Sequence, residues 1–189
     1  MRIFGVDPGL TRCGVSVLDV ATDKSLTLVH LEVLHTSPQD ALAQRLLSIR
    51  NSLESLFETY KPERVALERV FAQHNLRTVM GTAQVSGLVL AEAASRSLSI
   101  DLHTPSEVKA AVTGSGRANK AQVATMVRKL VQLPDTKLLA DATDAVAIAI
   151  CNAWRGGSGV LVSQDSRGQG LTPAQQKWRE AERLSRKRG

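Results

Sequence analysis

The order of the predicted elements indicates an α/β domain built on a five-stranded mixed sheet that is flanked by helices. Three segments of strand-like alternation come first, and two further strands are separated by long segments of helical period. Strands that alternate with helices are typical of a sheet covered on its faces by helices. With 189 residues, 43% of them hydrophobic and 22% charged, the chain is long enough to bury a substantial core.

Five strands are predicted, over residues 2–7, 13–19, 26–34, 64–70 and 100–103. The first two are joined by Pro8-Gly9-Leu10-Thr11-Arg12. This short linker begins with turn-forming residues, so it favours a hairpin.

The first helix is predicted to begin at Ser37 and to end near Tyr60. Ser37 is suited to the N-cap and Pro38 to the first helical position, where the missing N–H of proline leaves no helical bond unmade. Apolar residues recur here with helical period, which predicts a buried face made of Leu42, Leu46, Ile49, Leu53 and Leu56.

A long second helix, over 75–97, contains Gly81 and Gly87. Glycine inside a helix lowers the stability of that helix by about 1 kcal/mol relative to alanine. We therefore expect both glycines to permit close packing against another helix, which a second subunit could supply. This helix is the candidate dimer face.

Further helices follow the fifth strand. Thr104-Pro105-Ser106-Glu107 predicts a capping box that opens a short helix. Gly114-Ser115-Gly116 should break it, and Asn119 should start the next helix, which reaches about Leu133. The last helix, over 140–154, is apolar nearly all round and should be buried.

The composition changes after Arg155 to Gly, Ser and Gln, which predicts a domain over 1–155 and a flexible basic tail over 156–189. The tail contains seven basic and three acidic residues, so it carries most of the net charge of +6. Two interpretations stay open. The tail either attracts phosphate backbones non-specifically or serves only as a solvated end.

No segment approaches 18 uninterrupted apolar residues, and the chain begins directly with a strand pattern. This predicts neither a transmembrane span nor a signal peptide, so we expect a cytoplasmic protein with no membrane partner. Cys13 and Cys151 lack the spacing of a metal site or a disulfide framework. We interpret both as small apolar residues of the core.

Four carboxylates lie in sequence that is otherwise predicted to be buried. Asp7 closes the first strand, Glu68 lies in the fourth, and Asp141 and Asp144 begin the last helix. Burying unpaired charges is unfavourable, and a shared divalent cation would remove that cost. Carboxylates without His or Cys partners favour Mg²⁺, or Mn²⁺, over Zn²⁺. Such a set suits a site in which two Mg²⁺ ions clamp a phosphodiester.

Taken singly, each carboxylate also has a structural interpretation. Asp7 precedes Pro and Gly, as turn residues often do, and Glu68 could lie on the exposed face of an alternating strand. Asp141 and Asp144 would share one helix face and favour the helix dipole. The functional interpretation depends on three segments taken together: the one that ends at Asp7, the one that contains Glu68, and the helix start that contains Asp141 and Asp144.

The segment 108–134 is basic and contains no acidic residue. Arg117 and Lys120 flank a Gly-rich turn that leads into a helix N-terminus, where backbone N–H groups attract phosphate. We interpret this segment, which also contains Lys109, as a nucleic-acid contact. Phe71 follows Glu68 and precedes a polar loop, so it either belongs to the core or wedges between bases.

Four motifs occur in a fixed order: MRIFGVDPGLTRCG at 1–14, LERVF at 67–71, GSGRANK at 114–120 and DATDA at 141–145. Together they resemble the RuvC family of bacterial Holliday junction resolvases. The likeness covers about residues 1–155 and leaves the role of the tail open.

The resemblance implies an RNase H-like fold, a homodimer and Mg²⁺-dependent cleavage of four-way DNA junctions, in cooperation with the RuvA–RuvB branch-migration complex. The positions that match the family's catalytic acids are Asp7, Glu68, Asp141 and Asp144. Phe71 matches its junction-contacting aromatic residue, and its DNA-binding region contains Lys109, Arg117 and Lys120. Some members carry His at the position of Asp141. This chain has Asp there, so the ligand set that the resemblance implies is entirely carboxylate. A two-fold dimer would supply one acid cluster for each of two symmetric strands.

Two other functions fit part of the sequence. The Asp7-Pro8-Gly9 hairpin resembles the phosphate-binding hairpin of actin-like sugar and acetate kinases, but those enzymes need a second lobe for which 189 residues leave no room. A non-catalytic DNA-binding module would act through the tail and the basic segment. Its binding should be indifferent to acid-to-amide changes and should fall steeply with salt.

Overall fold

A computed structural model describes residues 1–70, 76–133 and 140–155 of the chain. Its strands are β1 (Arg2–Asp7), β2 (Arg12–Val20), β3 (Leu26–His35), β4 (Arg64–Glu68) and β5 (Ser99–His103). Its helices are α1 (Leu42–Tyr60), α2 (Leu76–Ser95), α3 (Pro105–Thr113), α4 (Lys120–Leu130) and α5 (Ala140–Arg155). Phe71 and the predicted tail over 156–189 lie outside the described residues.

The strands form one mixed sheet in the order β3-β2-β1-β4-β5. The β1–β2 and β2–β3 pairs are antiparallel, as the predicted hairpin requires, whereas β1–β4 and β4–β5 are parallel. The predicted α/β class and the five-stranded mixed sheet are therefore confirmed. The parallel pairing brings the carboxyl ends of β1, β4 and β5 to one edge of the sheet.

Helices cover both faces of the sheet. On one face Phe4 of β1 stacks against Phe57 of α1, with ring centroids 4.6 Å apart, and α2 packs beside α1. On the other face α5 crosses β1 and β2, and α3 and α4 pack against it. Because side chains alternate along a strand, Phe4 and Val6 face α1 while Ile3, Gly5 and Asp7 face α5.

The buried helix predicted over 140–154 is confirmed as α5, whose residues from Ala142 to Asn152 are buried except Asp144. Its C-terminal end is tied to the edge strand β5, since Asn152 Nδ2 donates to Asp101 Oδ2 at 2.7 Å. Arg64 Nη1 also lies 3.5 Å from that oxygen. These contacts anchor α5 to the sheet at the end opposite its two acidic residues.

The predicted start of the first helix at Ser37 is wrong. Ser37 Oγ accepts from the Gln39 amide at 3.1 Å in a turn, and α1 begins only at Leu42, after Ala41. The segment is held away from the helix because the Thr36 amide donates to the Thr11 carbonyl. Leu42, predicted to be buried, is consequently 45% exposed, whereas Ile49, Leu53 and Leu56 are buried as expected.

The ends of β4 and α4 and the packing of Gly81 also differ from what the sequence predicted. Strand β4 ends at Glu68 rather than Val70, although the Arg69 amide still donates to the His103 carbonyl. Helix α4 ends at Leu130 because the next residue is extended. Gly81 packs against Leu10 of the β1–β2 loop rather than a helix. A Cβ on Gly87 would meet no atom of the described residues within 4 Å, so its packing against a helix of a second subunit stays a prediction.

Cys13 and Cys151 are unpaired and buried, as predicted for core residues. Burial raises the pKa of the Cys13 thiol to about 12 and that of Cys151 to about 11. Among the described residues, no helix has both the length and the apolar character needed to cross a membrane.

Candidate active site

Asp7 and Glu68 are the last residues of two neighbouring parallel strands. Val6 of β1 is in register with Leu67 of β4, so the two acids occupy adjacent positions at the carboxyl edge of the sheet. This edge is where open α/β sheets usually bind ligands. Asp7 was predicted to end its strand, and because β4 ends at Glu68 rather than at Val70, Glu68 also lies at a strand end. The parallel pairing of β1 and β4 brings the two acids together.

Glycines in the sheet allow α5 to approach the strands closely. A Cβ on Gly14, the β2 residue in register with Asp7, would lie 2.1 Å from the carbonyl oxygen of Asp141. A Cβ on Gly5 would lie 2.5 Å from the carbonyl oxygen of Ala145, which instead accepts a 2.9 Å hydrogen bond from Ser16 Oγ. The first turn of α5 therefore rests on the backbone beside Asp7.

Three of the four predicted acids share one cavity of about 220 Å³, namely Asp7, Glu68 and Asp144. Lys109 of α3 and Lys120 of α4 also line it. A second cavity, of about 340 Å³, extends from Asp7 and Glu68 towards Thr82 of α2. Asp141 lines a third cavity, of about 360 Å³, which also reaches Thr82.

Two cations pair with the acids of α5. Lys120 Nζ lies 3.1 Å from Asp144 Oδ2, and Arg12 Nε lies 2.9 Å from Asp141 Oδ2. The Lys120 side chain is 80% exposed and that of Arg12 is 56% exposed, so water screens both pairs and both cations can move away at little cost.

Burial and mutual repulsion shift the pKa values of the strand acids. Burial, followed by the negative charges of Glu68, Asp144 and Asp141, raises the pKa of Asp7 to about 7. Burial and Asp144 also raise the pKa of Glu68, while Lys120 and Lys109 oppose that rise. The hydrogen bond to Asp144 raises the pKa of Lys120. The nearby positive charge, from Lys120, therefore does not offset the burial of Asp7 and its repulsion by the other three acids.

The chemistry of this donor set fits a hard divalent cation. Four carboxylates are close enough to repel one another at Asp7, and a cation among them would relieve that repulsion. Among the described residues, no three His, Cys, Asp or Glu side chains are already arranged to hold a metal ion. Binding one would have to compete with the ion pairs that Asp141 and Asp144 make with Arg12 and Lys120.

The predicted basic residues separate into two places. Lys109 and Lys120 border the acid cavity, whereas Arg117 is exposed and lines a different cleft, of about 640 Å³, between α3 and α4. Sequence reasoning did not single out Arg12, which contacts Asp141, or Arg45, which lines the same cavity as Asp141. The position of Arg12 five residues after Asp7 was a usable signal, but nothing near Arg45 in the sequence marks it.

A mixed β3-β2-β1-β4-β5 sheet with acids at the ends of β1 and β4 and at the start of α5 defines an RNase H-like nuclease. The family model described as "Crossover junction endodeoxyribonuclease RuvC" matches residues 3–152. The chain therefore belongs to the RuvC family of crossover junction endodeoxyribonucleases, a family of metal-dependent nucleases.

Curated relatives match over nearly the whole chain. The RuvC protein of Leifsonia xyli is 53% identical, over 97% of this chain and 92% of its own length. That of Clavibacter sepedonicus is 50% identical over the full length of both chains. The family resemblance stated from four motifs is thus confirmed.

Solved structures agree with the fold. The structure of Thermus thermophilus RuvC in complex with a Holliday junction substrate matches this chain with a TM-score of 0.76 and a sequence identity of 32%. The match covers 81% of this chain and 93% of that chain. The yeast mitochondrial Holliday junction resolvase Ydc2 has a TM-score of 0.59 at 13% identity, over 80% of this chain and 77% of its own, and supports the fold alone.

Proposed function

We propose that this protein resolves four-way (Holliday) DNA junctions by paired symmetric nicks during recombination and repair. The observation that carries the proposal is the cavity in which Asp7, Glu68 and Asp144 face Lys109 and Lys120. Anionic groups for metal binding and cations for phosphate thus meet in one place. The similarity to a RuvC structure with a Holliday junction substrate supports the choice of DNA.

In this proposal, Asp7, Glu68, Asp141 and Asp144 hold two Mg²⁺ ions, with Mn²⁺ as a possible substitute. Bound Mg²⁺ supplies Lewis-acid polarisation of the phosphodiester and helps to generate the hydrolytic nucleophile. Asp7 lies between two strands and beside α5, so it can contact whatever Glu68 and Asp144 also contact. Burial and the neighbouring acids raise its pKa, so an added cation would relieve the repulsion at this residue.

Lys120 has two roles in this scheme. Before substrate and metal bind, its ammonium group neutralises the negative charge of Asp144, since Lys120 Nζ lies 3.1 Å from Asp144 Oδ2. Released from Asp144, it joins Lys109 at the edge of the cavity as a contact for a DNA phosphate. Arg117 in the adjacent cleft and Phe71, outside the described residues, are proposed as further junction contacts.

The protein is proposed to act as a homodimer through α2. Among the residues of this helix whose burial the structure describes, the exposed ones are Met80, Ala83, Gly87, Leu90, Ala91, Ala94 and Ser95. All of these except Ser95 are apolar or glycine, and five of them recur at intervals of three and four, which places these five on one face: Met80, Ala83, Gly87, Leu90 and Ala94. Met80 is 57% exposed and Leu90 36% exposed. A face of this kind favours burial against a second copy, and the open space at Gly87 would admit a partner helix closely.

Three broader features complete the proposal. Residues 1–155 form the nuclease domain, and the basic tail over 156–189 either adds non-specific attraction to DNA or acts as a solvated end. By resemblance, a RuvA–RuvB branch-migration complex is the protein partner. The cytoplasm is the proposed compartment, because the chain belongs to a family of enzymes that act on DNA.

The experiment is to incubate the purified protein with a synthetic immobile four-way junction and Mg²⁺, and to map nicks on all four strands. Symmetric nicks on one pair of opposed strands are the expected result. Binding without nicks at any concentration of Mg²⁺ or Mn²⁺ would leave only a DNA-binding module. Cleavage of linear duplex at the same rate as the junction would remove the structural selectivity.

A further inference from the structure

We propose that Arg45 and Arg12 form a second phosphate subsite, in a cavity separate from the one that Lys109 and Lys120 line. It would bind a phosphate of the cleaved strand that neighbours the scissile one. This inference rests on the proposed function, since it assigns part of the DNA path to that same site. Its evidence is a cavity of about 360 Å³ lined by Arg12, Arg45, Thr11, Thr82 and Asp141.

Arg45 is held in a fixed orientation by two hydroxyl groups. Its Nε donates to Thr36 Oγ1 at 2.9 Å, and its Nη2 donates to Thr11 Oγ1 at 2.8 Å. Thr36 Oγ1 in turn donates to the carbonyl of Leu10. The guanidinium is therefore attached to the β1–β2 hairpin, although Arg45 belongs to α1.

The positive charge of Arg45 has no acidic counterpart in the described part of the chain. The ion pairs there engage other cations, including Arg50 on the same helix, which lies 3.2 Å from Glu92. A guanidinium that is fixed by neutral hydroxyls keeps its full charge and has N–H groups left for another acceptor. Phosphate is an acceptor that matches its planar geometry.

Arg12 supplies the second cation of the subsite. Its Nε lies 2.9 Å from Asp141 Oδ2, and Arg12 lines the cavity beside Arg45. The partner, Asp141, is one of the four acids, so Arg12 connects this cavity directly to the cluster.

The subsite is continuous with the proposed cleavage site. Thr82 lines both this cavity and the one that contains Asp7 and Glu68. That second cavity in turn shares Asp7 and Glu68 with the Lys109–Lys120 cavity. Shared lining residues therefore link the three cavities in a row, with the two arginines in the first and the two lysines in the last. A DNA strand presents phosphates at regular intervals, so a strand with its scissile phosphate at the acids would meet cations on both sides.

The test compares Arg45→Gln with Arg50→Gln, which removes the same charge from the same helix but at a side chain paired with Glu92 and Glu54. Affinity for a four-way junction is measured in metal-free buffer as a function of salt. The Arg45→Gln variant should bind about tenfold more weakly at low salt, and the slope of log affinity against log salt should fall by about one. The Arg50→Gln variant should keep the wild-type slope. An unchanged slope for Arg45→Gln would overturn the subsite.

A scan with single methylphosphonates, which remove the charge of one DNA phosphate at a time, locates the contact. One substitution beside the cut site should weaken wild-type binding about tenfold and leave Arg45→Gln binding unaffected. If Arg45→Gln remains as sensitive as the wild type at every position, the proposal fails. Should that variant unfold at a lower temperature, Arg45→Met, which keeps much of the aliphatic stem, takes its place with the same expected outcomes.

The design separates this inference from the proposed function. A wild-type protein that does not nick junctions disproves the function, whatever Arg45 does. A wild-type protein that nicks junctions while Arg45 shows no coupling to any phosphate disproves the subsite alone. A change in oligomeric state of Arg45→Gln would also overturn the subsite, because the residue would then contact a second copy rather than DNA.

Discussion

Asp7 is the residue on which the proposed chemistry depends most. It lies at the end of β1, next to Glu68 and beside the backbone of Asp141, and its pKa is raised to about 7 by burial and by three neighbouring acids. A structural aspartate in a turn would not be placed where three like charges oppose its ionisation. The proposed cation shared by the acids would account for this position.

The variant Asp7→Asn should cleave junctions at least about a hundredfold more slowly, because a neutral amide is a poorer ligand for a hard cation than a carboxylate. A hundredfold loss of rate corresponds to about 3 kcal/mol of lost transition-state stabilisation. Junction binding should stay equal or become tighter, since a negative charge near DNA is removed. Nicking rates and gel-shift affinities measure the two effects.

The matched control for this variant is Asp23→Asn, an aspartate in the exposed turn between β2 and β3. It removes the same charge at a distance from the acid cluster and should cleave at the wild-type rate. Equal cleavage by Asp7→Asn and Asp23→Asn would remove Asp7 from the site.

Gly14 decides how closely α5 can approach the sheet. In Gly14→Ala the new methyl group would lie 2.1 Å from the carbonyl oxygen of Asp141, so the helix start must move. We expect destabilisation by about 1–3 kcal/mol and a loss of cleavage, because Asp141 and Asp144 move with it. Urea unfolding and nicking rates test this. Wild-type values for both would mean that α5 can shift freely.

At the scale of elements, the capping box of α3 matters because this helix carries Lys109 into the acid cavity. Thr104 Oγ1 accepts from the Glu107 amide at 3.2 Å, and Glu107 Oε2 accepts from the Thr104 amide at 2.7 Å. Thr104→Ala should lower the free energy of unfolding by about 1 kcal/mol, as loss of an N-cap hydroxyl does. Thr59→Ala, near the end of α1, is a control outside any N-cap, and its effect should be smaller.

The same capping box predicts a dependence on pH. Hydrogen bonds from Thr104 lower the pKa of Glu107 below its ordinary value of 4.5. Its contribution to stability is therefore fully present above that value and is lost as the pH falls through the lower folded-state pKa. The difference in unfolding free energy between the wild type and Glu107→Gln should thus be constant from pH 6 upward and shrink in acid. A difference that grows in acid would contradict this.

These elements also indicate how far the sequence determines the fold. Local signals were sufficient for the Thr104 capping box and for the strand that ends at Asp7. They failed at Ser37, because the Thr36 amide binds the hairpin carbonyl of Thr11, and no local pattern reveals such a tertiary bond. Arg45 was missed for the same reason, since its partners Thr11 and Thr36 are distant in sequence.

The acid cluster was predictable as a set but not in its details. Each acid stands at the end of a strand or the start of a helix, and elements of this kind meet at one edge of a parallel sheet. The partners of the acids were not predictable. The pairing of Asp141 with Arg12, and of Asp144 with Lys120, depends on how the hairpin and α4 pack beside α5.

At the scale of the whole molecule, the proposed paired nicking is performed by two active sites related by symmetry, and the apolar face of α2 is the proposed contact. In Met80→Arg a charge replaces a side chain that is 57% exposed in the single chain and that would be buried between two copies. Burying an unpaired charge at an interface is strongly unfavourable, so this variant should become monomeric. Sedimentation or light scattering measures the state.

Leu47→Arg is the control, because Leu47 of α1 is 47% exposed and outside that face. It should remain dimeric and make paired nicks. The Met80→Arg monomer should still fold, because the mutated side chain already faces solvent in the isolated chain. On a junction it should nick one strand at a time rather than two opposed strands together. A dimeric Met80→Arg variant that still cuts both strands would place the two-fold contact elsewhere. A monomeric wild type that cuts in pairs would show that one chain can reach both strands in turn.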